Sequence, residues 1–403
     1  MIVGFAGIGP VATCGKFFCG TDDTLPHYTP TMDLKAYPGD RLNSRREGIG
    51  FGSLKRLLLA CTALLLLTTT GKAVSEKELA ERFATETVPF SRFLDTGERF
   101  TFQSADAIHR LSGVKFLLPP SQSKGVILIV NGRSESWQKY GELISDLCSQ
   151  GYSVVTYDHR GQGLSPRLIK GNPQVGTIDD FDLYAEDLNA CIQRIILPLR
   201  REYPQLFVIA HSMGAAVASA QMENHPSPFR AAAFIAPMFE INTSPYPRGL
   251  AHAIAGTLRM LGQGSRYAPG EHDFDPKADF ASNKITGSNL RWKLMNRGKL
   301  LHPASITSGA SIDWVDATLT STPKILNGLG RIRTPILILQ AGNDQLVRNE
   351  SIKEAATGIS DCSLINFPDS KHEILMESDP IRKGALRAIE RFFTAHALSK
   401  PGD

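Results

Sequence analysis

From about residue 98 to 237, short apolar runs alternate with segments of helical period, and the alternation resumes at about 331. The clearest runs are Val126-Ile127-Leu128-Ile129-Val130, Val154-Val155-Thr156-Tyr157, Leu206-Phe207-Val208-Ile209-Ala210, Pro335-Ile336-Leu337-Ile338-Leu339-Gln340 and Ser363-Leu364-Ile365-Asn366-Phe367. Continuous apolar runs of this length, each followed by a helical stretch, predict a mostly parallel sheet covered by helices. Glu98–Gln103 and Val114–Leu118 predict an antiparallel start to that sheet. The stretch from about 238 to 330 breaks the rhythm. It holds Ser244-Pro245-Tyr246-Pro247, a small-residue amphipathic segment from Leu250 to Leu261, and Arg291-Trp292-Lys293-Leu294-Met295. It reads as a helical insertion, with a lid over a site or a plain packing layer as the two alternatives.

The run at 206–210 leads directly into His211-Ser212-Met213-Gly214-Ala215. A serine between a β-branched run and small helix-forming residues is the layout of a nucleophile elbow, where a strained strand-to-helix turn pushes the hydroxyl out of the sheet. The usual flanking glycines are Ala210 and Gly214 here, so the first position departs mildly from the pattern. A serine hydroxyl is a weak nucleophile and needs a base, which needs an orienting acid. In such a sheet the partners follow in the order serine, acid, histidine, each on the loop after a strand. Asp344 follows the run at 335–340, and His372 follows the run at 363–367. Asp369 and Asp361 lie near His372 but do not follow the expected strand, and His396 falls in a terminal helical pattern, Ile381 to Leu398. His211 is assigned a structural or pocket-lining role.

Acyl transfer also needs two N–H groups aimed at the developing oxyanion. By position these are the amides of Met213, after the serine, and of Arg133, in the loop Asn131-Gly132-Arg133 after the run at 126–130. These motifs, with Asn131–Ser136, Lys139-Tyr140, Asp158-His159-Arg160-Gly161-Gln162-Gly163-Leu164-Ser165, Asp179-Asp180-Phe181, Asp187-Leu188, Tyr267-Ala268-Pro269-Gly270 and Lys371–Leu375, are similar to those of the lysophospholipase L2 and monoacylglycerol lipase group of α/β-hydrolases, of serine aminopeptidase S33 type. The resemblance runs from about residue 95 to the C-terminus. It implies an α/β-hydrolase fold and hydrolysis of the acyl ester of a monoacyl lipid, with no metal or organic cofactor. Asp158 and Arg160 read as structural ions anchoring their glycine-containing loop, and Gly161-Gln162-Gly163 is too short for a phosphate cradle.

Composition adds limits. Of 403 residues, 21% are charged and the net charge is +4, with no basic stripe, so nucleic acid is not expected as a partner. A lipid substrate and a peripheral membrane contact are expected instead. Arg133, Arg266 and Arg291 are candidates for a phosphodiester head group, because arginine offers paired donors to phosphate. For Arg133 the alternative is a salt bridge with Glu135 or another acid. Glu271-His272-Asp273 fits no recognised metal spacing and reads as turn residues. Of six cysteines (Cys14, Cys19, Cys61, Cys148, Cys191, Cys362), only the last three fall in the expected mature enzyme, where they read as buried apolar fillers.

Lys55-Arg56, the apolar run Leu57–Leu67 and small residues at Gly71 and Ala73 have the parts of a secretory signal, although the run begins late in the chain. Three segments are therefore expected: 1–50, an unstructured leader or mis-called start; 51–73, a signal; and 74–403, a hydrolase domain with its insertion at about 238–330. An exported, periplasmic or inner-membrane-associated enzyme is the first expectation, and a cytoplasmic protein with peripheral membrane association the alternative. The function expected is that of a lysophospholipase working through Ser212, His372 and Asp344, with His211 and Arg266 joining Arg133 as substrate-contacting candidates. A monoacylglycerol lipase, a broad carboxylesterase and a catalytically silent hydrolase-fold interaction protein remain alternatives.

Overall fold

A computed structural model describes residues 73–398. The leader, the signal-like run, Cys14, Cys19 and Cys61 lie outside the described residues. Eight strands form one sheet in the order β1-β2-β4-β3-β5-β6-β7-β8. They are β1 (Glu98–Gln103), β2 (Arg110–Phe116), β3 (Val126–Val130), β4 (Ser153–Tyr157), β5 (Leu206–His211), β6 (Ala231–Ile235), β7 (Ile336–Ala341) and β8 (Cys362–Phe367). β1 and β2 pair antiparallel, as does β2 with β4, and every pairing from β4 through β8 is parallel.

The helices that matter here are α1 (Glu76–Thr85), α2 (Gly141–Ser149), α3 (Asp182–Cys191), α4 (Met213–Asn224), α5 (Arg248–Met260), α6 (Asn289–Leu301), α7 (Ile312–Gly328), α8 (Asn349–Gly358) and α9 (Asp379–Ala395). Both faces of the sheet are covered, which is why β3 can be apolar at every position. Val126, Leu128 and Val130 face the layer of α3, α4 and α7, while Ile127 and Ile129 face α2 and α9. α4 is buried almost all round, so its small residues Ala215, Ala216, Ala218 and Ala220 let it lie close to the sheet.

The stretch between β6 and β7 divides in two. α7 carries Trp314, Ala317 and Ile325 into the main core and belongs to the layer covering the sheet. α5 buries only Ala255 and leaves Leu250, Met260 and the following Leu261 exposed. α6 is tied down at Arg291, which is wholly buried against Glu142 and Asp379. α1 closes over α6 through a small cluster of Val74, Leu79, Phe90, Leu294, Met295 and Met376. Among the described residues, no helix is long and apolar enough to cross a membrane.

Candidate active site

Ser212 joins β5 to α4 with φ 51° and ψ −117°, a backbone conformation that L-residues rarely adopt. The turn is held from both sides, since Ser212 N–H donates to Ile235 O (2.9 Å) and Met238 N–H donates to Ser212 O (3.0 Å). Gly214 is required by close approach: a Cβ there would sit 2.3 Å from Val130 O. The strand-end loops supply the other two groups. His372 Nε2 lies 2.9 Å from Ser212 Oγ, and His372 Nδ1 lies 2.6 Å from Asp344 Oδ2. With the Nδ1 proton donated to Asp344, Nε2 is left to accept the serine proton. Asp344 Oδ1 accepts from the amides of Leu346 (2.8 Å) and Val347 (3.2 Å), which fix the carboxylate. Burial acts to raise the Asp344 pKa, but the His372 bond and these amides outweigh it and hold the group below the ordinary value. The three side chains named from the sequence are therefore brought into one hydrogen-bonded line.

The amides of Arg133 and Met213 have no intramolecular acceptor among the described residues. That of Gly132, by contrast, is used, donating to Glu135 Oε2 at 2.6 Å. Arg133 adjoins the site, but its guanidinium is engaged: Nη1 donates to Ser308 O (2.9 Å), lies 3.6 Å from Glu271 Oε2, and the group stacks over Trp314. The salt-bridge alternative thus takes Glu271 as its acid.

Two other arginine readings are corrected. Arg266 sits exposed on the turn after α5 and is not among the cavity-lining residues; its carbonyl accepts from Ile312 N–H (3.0 Å). Arg291 is fully buried and consumed by ion pairs with Glu142 and Asp379, so it has no donor to spare for phosphate. Asp158 and Arg160 are structural. Asp158 accepts from the amides of Trp137 (2.7 Å) and Leu164 (2.7 Å), and Arg160 is paired with Asp187 and Asp106. Cys148 and Cys191 are buried free thiols.

Ser212 and His372 open into a cavity of about 990 Å³. Its apolar lining includes Met238, Ile241, Ile254, Leu258, Val315 and Leu346, and its charged lining includes Arg133, Glu135, Lys139, Glu271 and Lys299. The N-terminal arm adds Phe90 and Leu94 to the wall, which the sequence did not signal.

Behind His372 lies a buried ionic group that sequence reasoning also missed. His211 Nδ1 is 2.9 Å from Glu135 Oε1, and its ring centroid is 5.0 Å from that of His372. Lys139 Nζ bonds Glu135 and both oxygens of Glu373 (2.6 Å), and Tyr140 OH donates to Glu135. Burial acts to raise the Glu135 pKa, yet Lys139 and His211 keep it well below the ordinary value. Burial acts to lower that of Lys139, but the two carboxylates raise it overall. Glu135, His211 and Glu373 have ligand atoms close enough to hold a cation, but the Lys139 ammonium already bridges the two carboxylates. Acids and bases alternating around the two active-site loops were the one available sequence hint.

The profile of the family described as "Serine aminopeptidase, S33" matches residues 121–379. The chain belongs to this family. It is 31% identical over 279 residues to a probable lysophospholipase L2 of Haemophilus influenzae, covering 69% of this chain and 87% of that protein. It is 33% identical over 281 residues to lysophospholipase L2 of Escherichia coli, covering 67% and 81%. A soluble variant of monoglyceride lipase from Saccharomyces cerevisiae, solved with a substrate analog, superposes with a TM-score of 0.58 at 17% identity over 72% of this chain and 93% of that one. That likeness establishes the shared α/β-hydrolase fold of this S33 family member.

Proposed function

We propose that this S33 family member is a carboxylic ester hydrolase that removes the acyl chain of a lysophospholipid. The observation that carries the reading is the unbroken line Asp344–His372–Ser212 on a cavity lined by both apolar and charged side chains. In the proposed cycle His372 Nε2 takes the Ser212 proton as Oγ attacks the acyl carbonyl, and Asp344 stabilises the imidazolium. The amides of Met213 and Arg133 receive the oxyanion. His372 then returns the proton to the departing glycerol oxygen, and water, deprotonated by the same imidazole, releases the fatty acid. The apolar lining of the cavity suits the acyl chain and the charged lining the head group. The relatives named lysophospholipase L2 are 31% and 33% identical, against 22% to 24% for monoglyceride lipases matched over as much of the chain, and this supports the phosphate-bearing substrate over a neutral glyceride.

Initial rates on lysophosphatidylcholine, monoacylglycerol and short nitrophenyl esters test this. Highest kcat/KM on lysophosphatidylcholine is expected, with hydrolysis and fluorophosphonate labelling both abolished in Ser212→Ala. Preference for monoacylglycerol or for short esters would overturn the lysophospholipid assignment, and labelling that survives in Ser212→Ala would remove the nucleophile. Peripheral membrane contact is part of the proposal, through the exposed Leu250, Met260 and Leu261 around α5. Sedimentation with phospholipid vesicles should follow, and full recovery in the supernatant would delete that part. Export remains a proposal resting on the apolar run at 57–67.

A further inference from the structure

The cycle above uses Ser212, His372, Asp344 and two amides, and leaves beside them the buried Glu135, His211 and Glu373 and the partly buried Lys139 without a task. Their connectivity supplies one. Glu135 stands three residues after Gly132, and its carboxylate accepts from the Gly132 N–H (2.6 Å), so it holds the loop whose next amide is that of Arg133. Glu373 is the neighbour of His372 in the chain and shares its loop. Between the two carboxylates lies a single ammonium, Lys139, bonded to Glu135 and bidentate to Glu373 at 2.6 Å. Glu135 is saturated: besides Gly132 and Lys139 it receives Tyr140 OH and faces His211 Nδ1 at 2.9 Å. A carboxylate with every acceptor site filled has one orientation.

We propose that Lys139 is a positioning residue, whose ammonium clasps the oxyanion loop to the His372 loop and so fixes the separation of the two oxyanion amides from the base. The inference rests on the proposed serine mechanism.

The physical argument is one of charge and reach. Without the ammonium, Glu135 and Glu373 are two buried carboxylates facing each other, and repulsion drives apart the loops they belong to. His211, 2.9 Å from Glu135 and 3.7 Å from Glu373, eases that repulsion by charge but makes no hydrogen bond to Glu373, so it does not tie the two loops together. Lys299 and Arg133, the other cations around this polar region, make no ion pair with Glu373. Displacements on the order of 1 Å in a catalytic constellation cost about 100-fold in rate, and loss of one oxyanion donor about 100- to 1000-fold. The clasp acts on transition-state geometry and not on the apolar acyl channel, so its loss should appear in kcat with KM little changed.

The test uses the full-length enzyme on a short nitrophenyl ester, which places nothing in the head-group region, and on lysophosphatidylcholine. Lys139→Met should lower kcat on both substrates by about 10- to 100-fold, with KM for the short ester within about threefold. Lys139→Arg, which can also bridge two carboxylates, should return most of the loss. Glu373→Gln should lower kcat as well, and Lys139→Met with Glu373→Gln together should lose no more than the worse single variant, because both cut one tie. Should Lys139→Met not fold, as judged by its melting curve, Glu373→Gln carries the test, since it keeps volume and removes charge. Unchanged kcat in Glu373→Gln, losses that multiply in the double variant, or a defect confined to KM for the phospholipid would each overturn the clasp. Hydrolysis persisting in Ser212→Ala would instead overturn the mechanism beneath it.

Discussion

His159 shows how much a single side chain near the site depends on its charge. It is wholly buried, with Nε2 3.0 Å from Asn131 O and Nδ1 3.3 Å from Tyr157 OH. The first contact requires Nε2 to donate, which in the neutral ring leaves Nδ1 to accept from Tyr157 OH. Burial is the main cause that lowers its pKa to about 4. The unfolded chain, with a histidine pKa of about 6.5, takes up the proton first as pH falls. Stability conferred by His159 is therefore complete above about pH 6.5 and drains away down to about pH 4. In urea titrations the stability advantage of the wild type over His159→Gln should shrink steadily across that window; a constant gap would contradict the neutral ring. At this scale the sequence was legible where chemistry recurs in fixed order, as with Ser212, Asp344 and His372, each announced by an apolar run before it. Lys139 and Glu373 are separated by 234 positions with no periodic link, and only folding brings them together.

Among elements, α6 is the one whose behaviour the structure redefines. The sequence left it as part of a lid or of a packing layer, and Arg291 near its start donates to Glu142, to Asp379 and to the carbonyls of Glu377 and Val74. Ser288 caps the helix by accepting from the Arg291 N–H. A movable flap does not carry a fully desolvated guanidinium shared among the core, α9 and the N-terminal arm. Arg291→Met would leave Glu142 buried beside only Arg382, at 3.5 Å. Breaking a buried pair in this way costs about 3–5 kcal/mol, which a lowered urea midpoint would report; a midpoint unchanged within error would mean that the pairing contributes nothing net. The sequence could not separate α6 from α5 or α7, because interrupted alternation marks an insertion without marking which helices are pinned. Burial on two sides makes α7 an ordinary covering helix, and α5 is paired to it through Arg259, which reaches Asp313 and Asp316, while Leu250 and Met260 stay exposed.

For the whole molecule, a mostly parallel sheet covered by helices followed from hydrophobic rhythm, since a parallel sheet buried on both faces leaves few other solutions. The N-terminal arm was the exception. Its residues 74–95 carry no catalytic motif and precede the S33-matched region, so nothing in the sequence connected them with the cavity that Phe90 and Leu94 help to line. The arm is held because its backbone is used: Val74 N–H donates to Asp146 Oδ1 (2.8 Å), Val74 O accepts from Arg291, and Glu76 N–H donates to Asp379 (3.0 Å).

The first of these contacts has a chemical sequel. Val74 directly follows the small residue Ala73, where the proposed signal would be cut. Proteolysis at that bond would turn a neutral amide into an ammonium facing the buried carboxylate of Asp146, so maturation would itself rivet the arm to the enzyme. A chain starting at Val74 should then melt higher than the same chain with its α-amine acetylated, and the difference should fade as the pH is raised beyond about 8, where free α-amines lose their proton. Identical melting curves would mean that the new terminus gains nothing from its partner.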